Sequence, residues 1–206
     1  MERYNCFSSY AKNDPAMMKY HDKEWGVPSH DEQFLIEMFI LELFQAGLSW
    51  KAVFHKRENF RKACDGFDIE KIAAYSSEKI EDLMQDPGII RNRRKIESMV
   101  SNARIVLDLQ KEYGSFSSYL WHFTDGQTIY ELMEVTTDEL SDIVSRDLKK
   151  RGMKFVGSIT IFSFLQSVGI IYSHPKECWR FDADHAEAFV NNRYVDGNVV
   201  CIMGAL

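Results

Sequence analysis

Glu42 is the side chain that most needs a chemical explanation. It is the one charged residue between Glu37 and Lys51, and Ile40, Leu41, Leu43 and Phe44 flank it. On a helix, five residues turn through about 500°, which sets Glu37 and Glu42 roughly 140° apart. Glu37 is then expected on the solvated face, and Glu42 in the interior or a pocket. A carboxylate there is costly unless it is paired or serves a ligand. A surface carboxylate, or one satisfied by arginine, is the other reading of the same pattern. Tyr20, Trp25 and Trp50 lie near Glu42 in the chain. Flat aromatic faces around one carboxylate make a box for a planar cation, through stacking and cation–π attraction. Taken singly, each of these aromatics is explained by core packing.

A second group of residues has metal-ligand chemistry. His174 and Cys178 are four residues apart, one turn if that stretch is helical, and Cys6 and His21 form another couple near the N-terminus. Two thiolates and two imidazoles suit a closed, tetrahedral, structural zinc site. His21 and His174 are 153 residues apart. One ion joining the couples would clip the chain ends together and close a very long loop. Two free thiols and two ordinary histidines fit the spacing equally. Cys64 and Cys201 have no histidine at ligand spacing and read as packing residues.

The third group is basic. Residues 146–154 hold five basic side chains and one acid, a local +4. Gly152 and Gly157 allow tight turns, and the helix opening near Ser158 would present N–H groups that favour an anion. With Lys154 between them, these residues fit a phosphate backbone, a contact that positions a protein on DNA without reading sequence. The run Arg91-Asn92-Arg93-Arg94-Lys95 offers a further phosphate contact. A solvated charged face is the alternative.

The elements that must position these groups are mostly helices, because apolar residues recur with a period near 3.6. Residues 31–45 read as a helix that is apolar on nearly every face, hence buried, ending at Gly47. Ser49 is expected to cap a helix over about 50–63. Ser77 is expected to cap a short helix before the Asp86-Pro87-Gly88 turn, and a long helix should run over about 89–112 to Gly114. Thr136 and Glu139 have capping-box spacing for a helix over about 137–151. A further helix is expected over about 159–168, before Gly169. The last two, joined through Gly152–Gly157, make a helix–hairpin–helix. Tyr194–Val199 carries an Asp-Gly turn between β-formers, a hairpin signal.

Composition bounds the alternatives. The chain has 206 residues, 45% hydrophobic and 27% charged, with four prolines and a net charge of −6. That is an ordinary globular composition, which excludes wholesale disorder, collagen and coiled coil. No apolar run approaches the ~18 residues of a membrane span, and the N-terminus lacks a signal-like apolar stretch. A cytoplasmic protein without disulfides is the expectation. The acidic total counts against nucleic acid, but the local field decides binding.

Four stretches together resemble the 3-methyladenine DNA glycosylase I family, a branch of the helix–hairpin–helix DNA glycosylases. They are Tyr20-His-Asp-Lys-Glu-Trp-Gly-Val-Pro28, Leu41-Glu-Leu-Phe-Gln-Ala-Gly-Leu-Ser-Trp50, Asp86-Pro-Gly-Ile-Ile-Arg-Asn-Arg-Arg-Lys-Ile96 and Leu148-Lys-Lys-Arg-Gly-Met-Lys-Phe-Val-Gly157. The resemblance covers roughly residues 3–178. It implies a mainly all-α, helix–hairpin–helix glycosylase fold, with a helical domain over 29–169. A small zinc-binding lobe would be made from 1–28 plus 170–206. It implies that Glu42 hydrogen-bonds a flipped base, that Trp50 is the stacking wall, and that Tyr20, Trp25 and Phe7 line the pocket. Met17 stands where the family often has a second pocket tyrosine. Cys6, His21, His174 and Cys178 match the ligands of one structural Zn²⁺ with no part in the chemistry. Gly152, Lys154, Gly157 and Ser158 match the hairpin that grips DNA. The implied partner is double-stranded DNA with alkylated bases, met by a monomer with no membrane.

One absence bears on mechanism. Many glycosylases with this hairpin place a catalytic aspartate in the helix after it, but Ser158–Ser173 contains no acid and no lysine. A missing lysine argues against Schiff-base lyase chemistry. A substrate whose bond is already weak fits the missing acid: adenine alkylated at N3 is cationic and leaves readily. The expected reaction is monofunctional hydrolysis that leaves an abasic site. A non-catalytic nucleic-acid module and a zinc-clipped helical interaction protein remain the rival readings.

Overall fold

The computed structural model describes residues 6–7, 11, 13–131 and 135–182. Ten α-helices are assigned among them, and each begins where the sequence supplies a reason. α1 (Pro15–Lys23) opens on Asp14, whose carboxylate accepts from the Met17 N–H, with proline at the first position. α2 (Glu32–Gln45) opens on Asp31, which accepts from Phe34 N at 2.7 Å. α3 (Trp50–Phe54) opens on Ser49, and α4 (Arg57–Ala63) follows it. Then come α5 (Ile69–Ala73), α6 (Ser77–Gln85), α7 (Arg93–Tyr113) and α8 (Phe116–Trp121). α9 (Glu139–Lys150) and α10 (Ser158–Ser167) complete the set. The fold is mainly helical. Two short strands, β1 (Ile129–Tyr130) and β2 (Ile171–Tyr172), pair in parallel with Ile129 opposite Ile171.

α2 is the central element. Every residue from Leu35 to Phe44 on it is buried, as expected of a helix apolar on all faces. It packs on α3, α7, α8 and α10. Phe39 meets Phe116 of α8 and Phe164 of α10 at 5.4 Å each. Phe44 meets Phe60 of α4 at 4.7 Å. Each such ring stabilises the fold by roughly 1.5–3 kcal/mol through removal from water. α10 leaves α2 at Gly169 (φ +76°), where an added Cβ would fall 2.3 Å from Pro28 N and 2.4 Å from Val27 C. Only glycine permits that approach. Ser29 N donates to Val168 O there, so the α1–α2 connection is held against the end of α10.

Several boundaries differ from the sequence reading. The helix expected over 50–63 breaks at His55-Lys56, because Lys56 Nζ donates to the Pro87 and Gly88 carbonyls at 2.9 and 3.1 Å. α7 begins at Arg93 rather than 89, since Asn92 caps it and the Asp86-Pro87-Gly88 turn extends through Ile90. Ser76, not Ser77, caps α6. α9 is opened by a box between Asp138 and Ser141, not Thr136 and Glu139, because Ser141 Oγ reaches back to Asp138 N at 2.9 Å. α1 and the strand pair were not anticipated. The hairpin expected at 194–199 lies outside the described residues.

Candidate active site

Two carboxylates on α2 have opposite fates. Glu37, expected in solvent, is buried, and the correction has a clear cause. Arg57 Nε reaches Glu37 Oε1 at 2.6 Å, and Arg61 Nη2 reaches both carboxylate oxygens at 2.6 and 2.9 Å. Two guanidiniums from α4 thus carry it inside the fold. Glu42 is 4% exposed and has no such partner. Its Oε2 atom has no hydrogen bond among the described residues, and burial alone pushes its pKa from 4.5 up to about 8. An unpaired buried carboxyl is unstable in itself and is expected where a ligand completes it.

The space in front of it is a cavity of about 160 Å³. Phe7, Tyr20, Trp25 and Trp50 supply its aromatic walls, and Gln45, Ser163 and Gln166 join Glu42 as its polar lining. Tyr20 and Trp50 are 5.6 Å apart between ring centroids, and Phe7 and Trp25 are 5.0 Å apart. Trp50 Nε1 is also buried with no hydrogen-bond partner among the described residues. The structure therefore brings Phe7, Tyr20, Trp25, Glu42 and Trp50 together. Met17 is different: it is fully buried in the core and does not line this cavity. It shares a face of α1 with Tyr20, one turn away, but is packed into the core.

Gln45, Ser163 and Gln166 were not singled out from sequence, although signals existed. Gln45 is three residues after Glu42, hence on the same helix face. Ser163 and Gln166 are also three apart, on an α10 that is otherwise apolar over Ile159–Leu165 save for Thr160. The turn between Glu42 and Trp50 is fixed by a residue misread from sequence. Lys95, counted with the surface basic run, is buried, and its Nζ donates to Phe44 O at 2.8 Å and Ala46 O at 2.6 Å. It caps the end of α2 from α7, and desolvation lowers its pKa. Arg93 of the same run pairs with Glu81 at 2.7 Å.

Behind the aromatic wall, Cys6, His21, His174 and Cys178 converge, all four buried, with one ligand atom from each within 4.8 Å of the others. The sulfur–nitrogen edges are 3.0 Å (Cys6–His21), 3.6 Å (Cys6–His174), 3.4 Å (Cys178–His21) and 3.5 Å (Cys178–His174). A tetrahedron built on zinc bond lengths has S···N edges of about 3.6 Å. The donor set and its dimensions fit a metal ion. His21 Nδ1, facing away from the cluster, meets Asp22 Oδ1 at 2.9 Å, the kind of contact that orients a ligating ring. The cluster abuts the cavity: Phe7 follows Cys6, Tyr20 precedes His21, and Trp25 packs edge-on to His174 at 4.7 Å.

The Gly152–Gly157 segment joins α9 to α10. Gly152 (φ +96°) donates to Lys149 O, and Met153 N to Leu148 O, which closes the end of α9. Asn102 of α7 bonds both backbone groups of Lys154, Nδ2 to its O at 2.9 Å and Oδ1 from its N at 3.0 Å. Lys154 itself projects to solvent. Gly157 precedes α10 with no side-chain cap, and Ser158 opens that helix. The local charge is smaller than the sequence count, because Arg151 is tied to Asp147 at 2.7 Å and to Glu112 at 2.6 Å.

Comparison with known proteins gives a consistent answer. The model of the family described as methyladenine glycosylase matches residues 10–181. DNA-3-methyladenine glycosylase 1 of Escherichia coli (strain K12) is 42% identical over 176 residues, covering 82% of this chain and 93% of that protein. The crystal structure of a 3-methyladenine DNA glycosylase I superposes with a TM-score of 0.79 at 42% identity, covering 82% of this chain and 96% of that one. A structure described as the basis of 3-methyladenine recognition by the Staphylococcus aureus 3-methyladenine DNA glycosylase I has a TM-score of 0.77 at 36% identity. It covers 81% of this chain and 92% of that one.

Proposed function

The chain belongs to the methyladenine glycosylase family, and from that premise we propose that it is a DNA-3-methyladenine glycosylase acting in base-excision repair. The substrate is 3-methyladenine in alkylated double-stranded DNA. The observation that carries this reading is the Glu42 carboxyl, buried and unpartnered at Oε2 in an aromatic cavity.

The damaged nucleotide swings out of the duplex, a motion that costs a few kcal/mol and least for a damaged base. The cationic purine enters between Trp50 and Tyr20, whose faces attract an electron-poor ring. Glu42 accepts a hydrogen bond from the exocyclic amine edge, and the cation restores the carboxylate form that burial disfavours. Gln45, Ser163 and Gln166 offer neutral polar contacts to the remaining edges. The C1′–N9 bond breaks with both electrons passing to the base, which leaves neutral. Water bonds to C1′ and releases its proton, leaving an abasic site. α10 offers neither a carboxylate for the sugar nor a lysine for a Schiff base. The reaction is accordingly monofunctional, and the weakness of the bond supplies what a catalytic acid supplies elsewhere.

α9, the Gly152–Gly157 segment and α10 act as a helix–hairpin–helix. Gly152, Lys154, Gly157 and Ser158 hold the phosphate backbone. Cys6, His21, His174 and Cys178 hold one structural Zn²⁺. Four protein donors would complete the tetrahedron and leave no open position, so an ion held there would join the two segments, 1–28 and 170–206, of the terminal lobe beside the helical domain (29–169). The protein works as a monomer, in the cytoplasm where bacterial DNA lies.

The test is product analysis on a methylated duplex. Mass spectrometry should find free 3-methyladenine, and gel analysis an intact strand that breaks only on alkaline treatment. No freed base would overturn the reading. A strand already cleaved would overturn its monofunctional part.

A further inference from the structure

A groove lies beside Lys154 at the proposed DNA-binding face, and its α7 wall has no part in the function proposed above. It has a volume of about 470 Å³, and Arg94, Glu97 and Ser98 of α7 face Lys154 and Phe155 of the hairpin across it. Two cations from distant parts of the chain thus share one concavity. Neither makes an ion pair within 4.0 Å among the described residues, although Arg93 and Arg151 beside them do. The groove also has fixed walls. Asn102 holds Lys154 through both backbone groups, at 2.9 and 3.0 Å. Phe155 has φ +58°, a left-handed conformation that a bulky side chain adopts only when its surroundings impose it. On the opposite side, the neighbouring Lys95 is turned inward onto the end of α2, which leaves Arg94 exposed at the start of α7.

We propose that this groove is a second backbone-binding site, in which Arg94 and Lys154 clasp a phosphodiester of the DNA substrate. It rests on the reading given under Proposed function, and extends the grip from the hairpin across to α7. Paired cations on rigid, separate elements suit a phosphodiester because it is anionic, narrow and repeated along the strand. Arginine adds a planar fork that can hold two phosphate oxygens at once. Glu97, on the same wall, disfavours a free polyanion that would fill the whole groove and leaves the two cations as the points of attachment. Such a contact adds affinity without sequence preference.

A phosphate-by-phosphate test isolates the site. A duplex with an abasic analogue is prepared as a series, each member carrying one neutral methylphosphonate. Affinities of the wild type and of Arg94→Gln are compared across the series. One position is expected where neutralising the phosphate weakens the wild type several-fold and weakens Arg94→Gln, which keeps Lys154, clearly less. The wild-type advantage over Arg94→Gln on the unmodified duplex should also shrink by roughly 3.5-fold between 50 and 200 mM salt, as for one lost phosphate contact. Arg94→Lys should retain most of the salt dependence. If wild type and Arg94→Gln respond alike at every position, the groove holds no phosphate. That result would leave the glycosylase reading intact, because release of 3-methyladenine by the wild type is measured separately.

Discussion

Two glutamates five residues apart on α2 show how a single residue type acquires different meanings. Glu37 is answered by Arg57 and Arg61, and Glu42 faces an aromatic cavity with Oε2 unpaired. The sequence pattern pointed to Glu42 as the internal one and left a surface carboxylate, or one satisfied by arginine, as the alternative. It could not show that the supposedly solvated one was also buried, because its partners lie 20 and 24 residues away on α4. Two predictions separate the pair. Glu37→Gln should destabilise the protein by about 1–3 kcal/mol in chemical denaturation, since Arg57 and Arg61 lose their shared buried acceptor and Arg57 keeps only Glu24. Glu42→Gln should fold well and differ from the wild type in its pH dependence. A carboxyl raised from 4.5 to about 8 contributes stability that is fully present below about pH 4.5 and lost as pH rises through 8. Glu42→Gln removes that loss, so its stability should gain on the wild type by roughly 3–5 kcal/mol between pH 5 and pH 9. Parallel stability curves would show that Glu42 is paired in solution.

At the scale of elements, α2 and its boundaries were readable because the signals are local: an all-apolar run, an aspartate before it and Gly47 after it. The split between α3 and α4 was not, because it depends on Lys56 reaching carbonyls at Pro87 and Gly88. Lys95 illustrates the same limit. Five charged or polar residues in a row read as a surface, yet one of them turns inward to cap α2 across the fold. Lys95→Met should cost about 1–3 kcal/mol of stability. It should also raise KM more than it lowers kcat, since the Ala46–Ser49 turn that spaces Glu42 from Trp50 loses its anchor. An unchanged KM would detach that turn from recognition. The turn between α9 and α10 was legible from its glycines, but its clamp was not: Asn102 is 52 residues from Lys154. Lys154→Gln should weaken DNA binding and lower the salt slope by about one, measured by titration at several salt concentrations. A slope equal to that of the wild type would take Lys154 off the phosphate backbone.

Across the whole molecule, the aromatic cavity and the Cys/His cluster are one construction. Residues next to Cys6 and His21 in sequence are walls of the cavity, and Trp25 packs on His174. Segments around residues 6–25 and 174–178 therefore meet beside the Glu42 carboxylate. Sequence reading found each half of the cluster, but only the resemblance to a known family joined them, because spacing cannot measure a distance across 153 residues. With the proposed zinc on these four residues, a strong chelator should lower the thermal midpoint by at least about 5 °C and should impair excision in parallel. Cys178→Ser should reproduce both effects. A midpoint indifferent to chelation would mean that the four side chains hold no metal. The tail beyond residue 182, where a β-hairpin was expected, has no part in this account.

The central claim is that the Glu42 carboxylate, set among aromatic walls, recognises a cationic purine. It is tested most directly by single-turnover release of 3-methyladenine from one methylated duplex, with wild type and Glu42→Gln compared at equal, saturating protein. The account predicts release by the wild type and a rate at least about 100-fold lower for Glu42→Gln, with circular dichroism unchanged. Equal rates in the two proteins would contradict it.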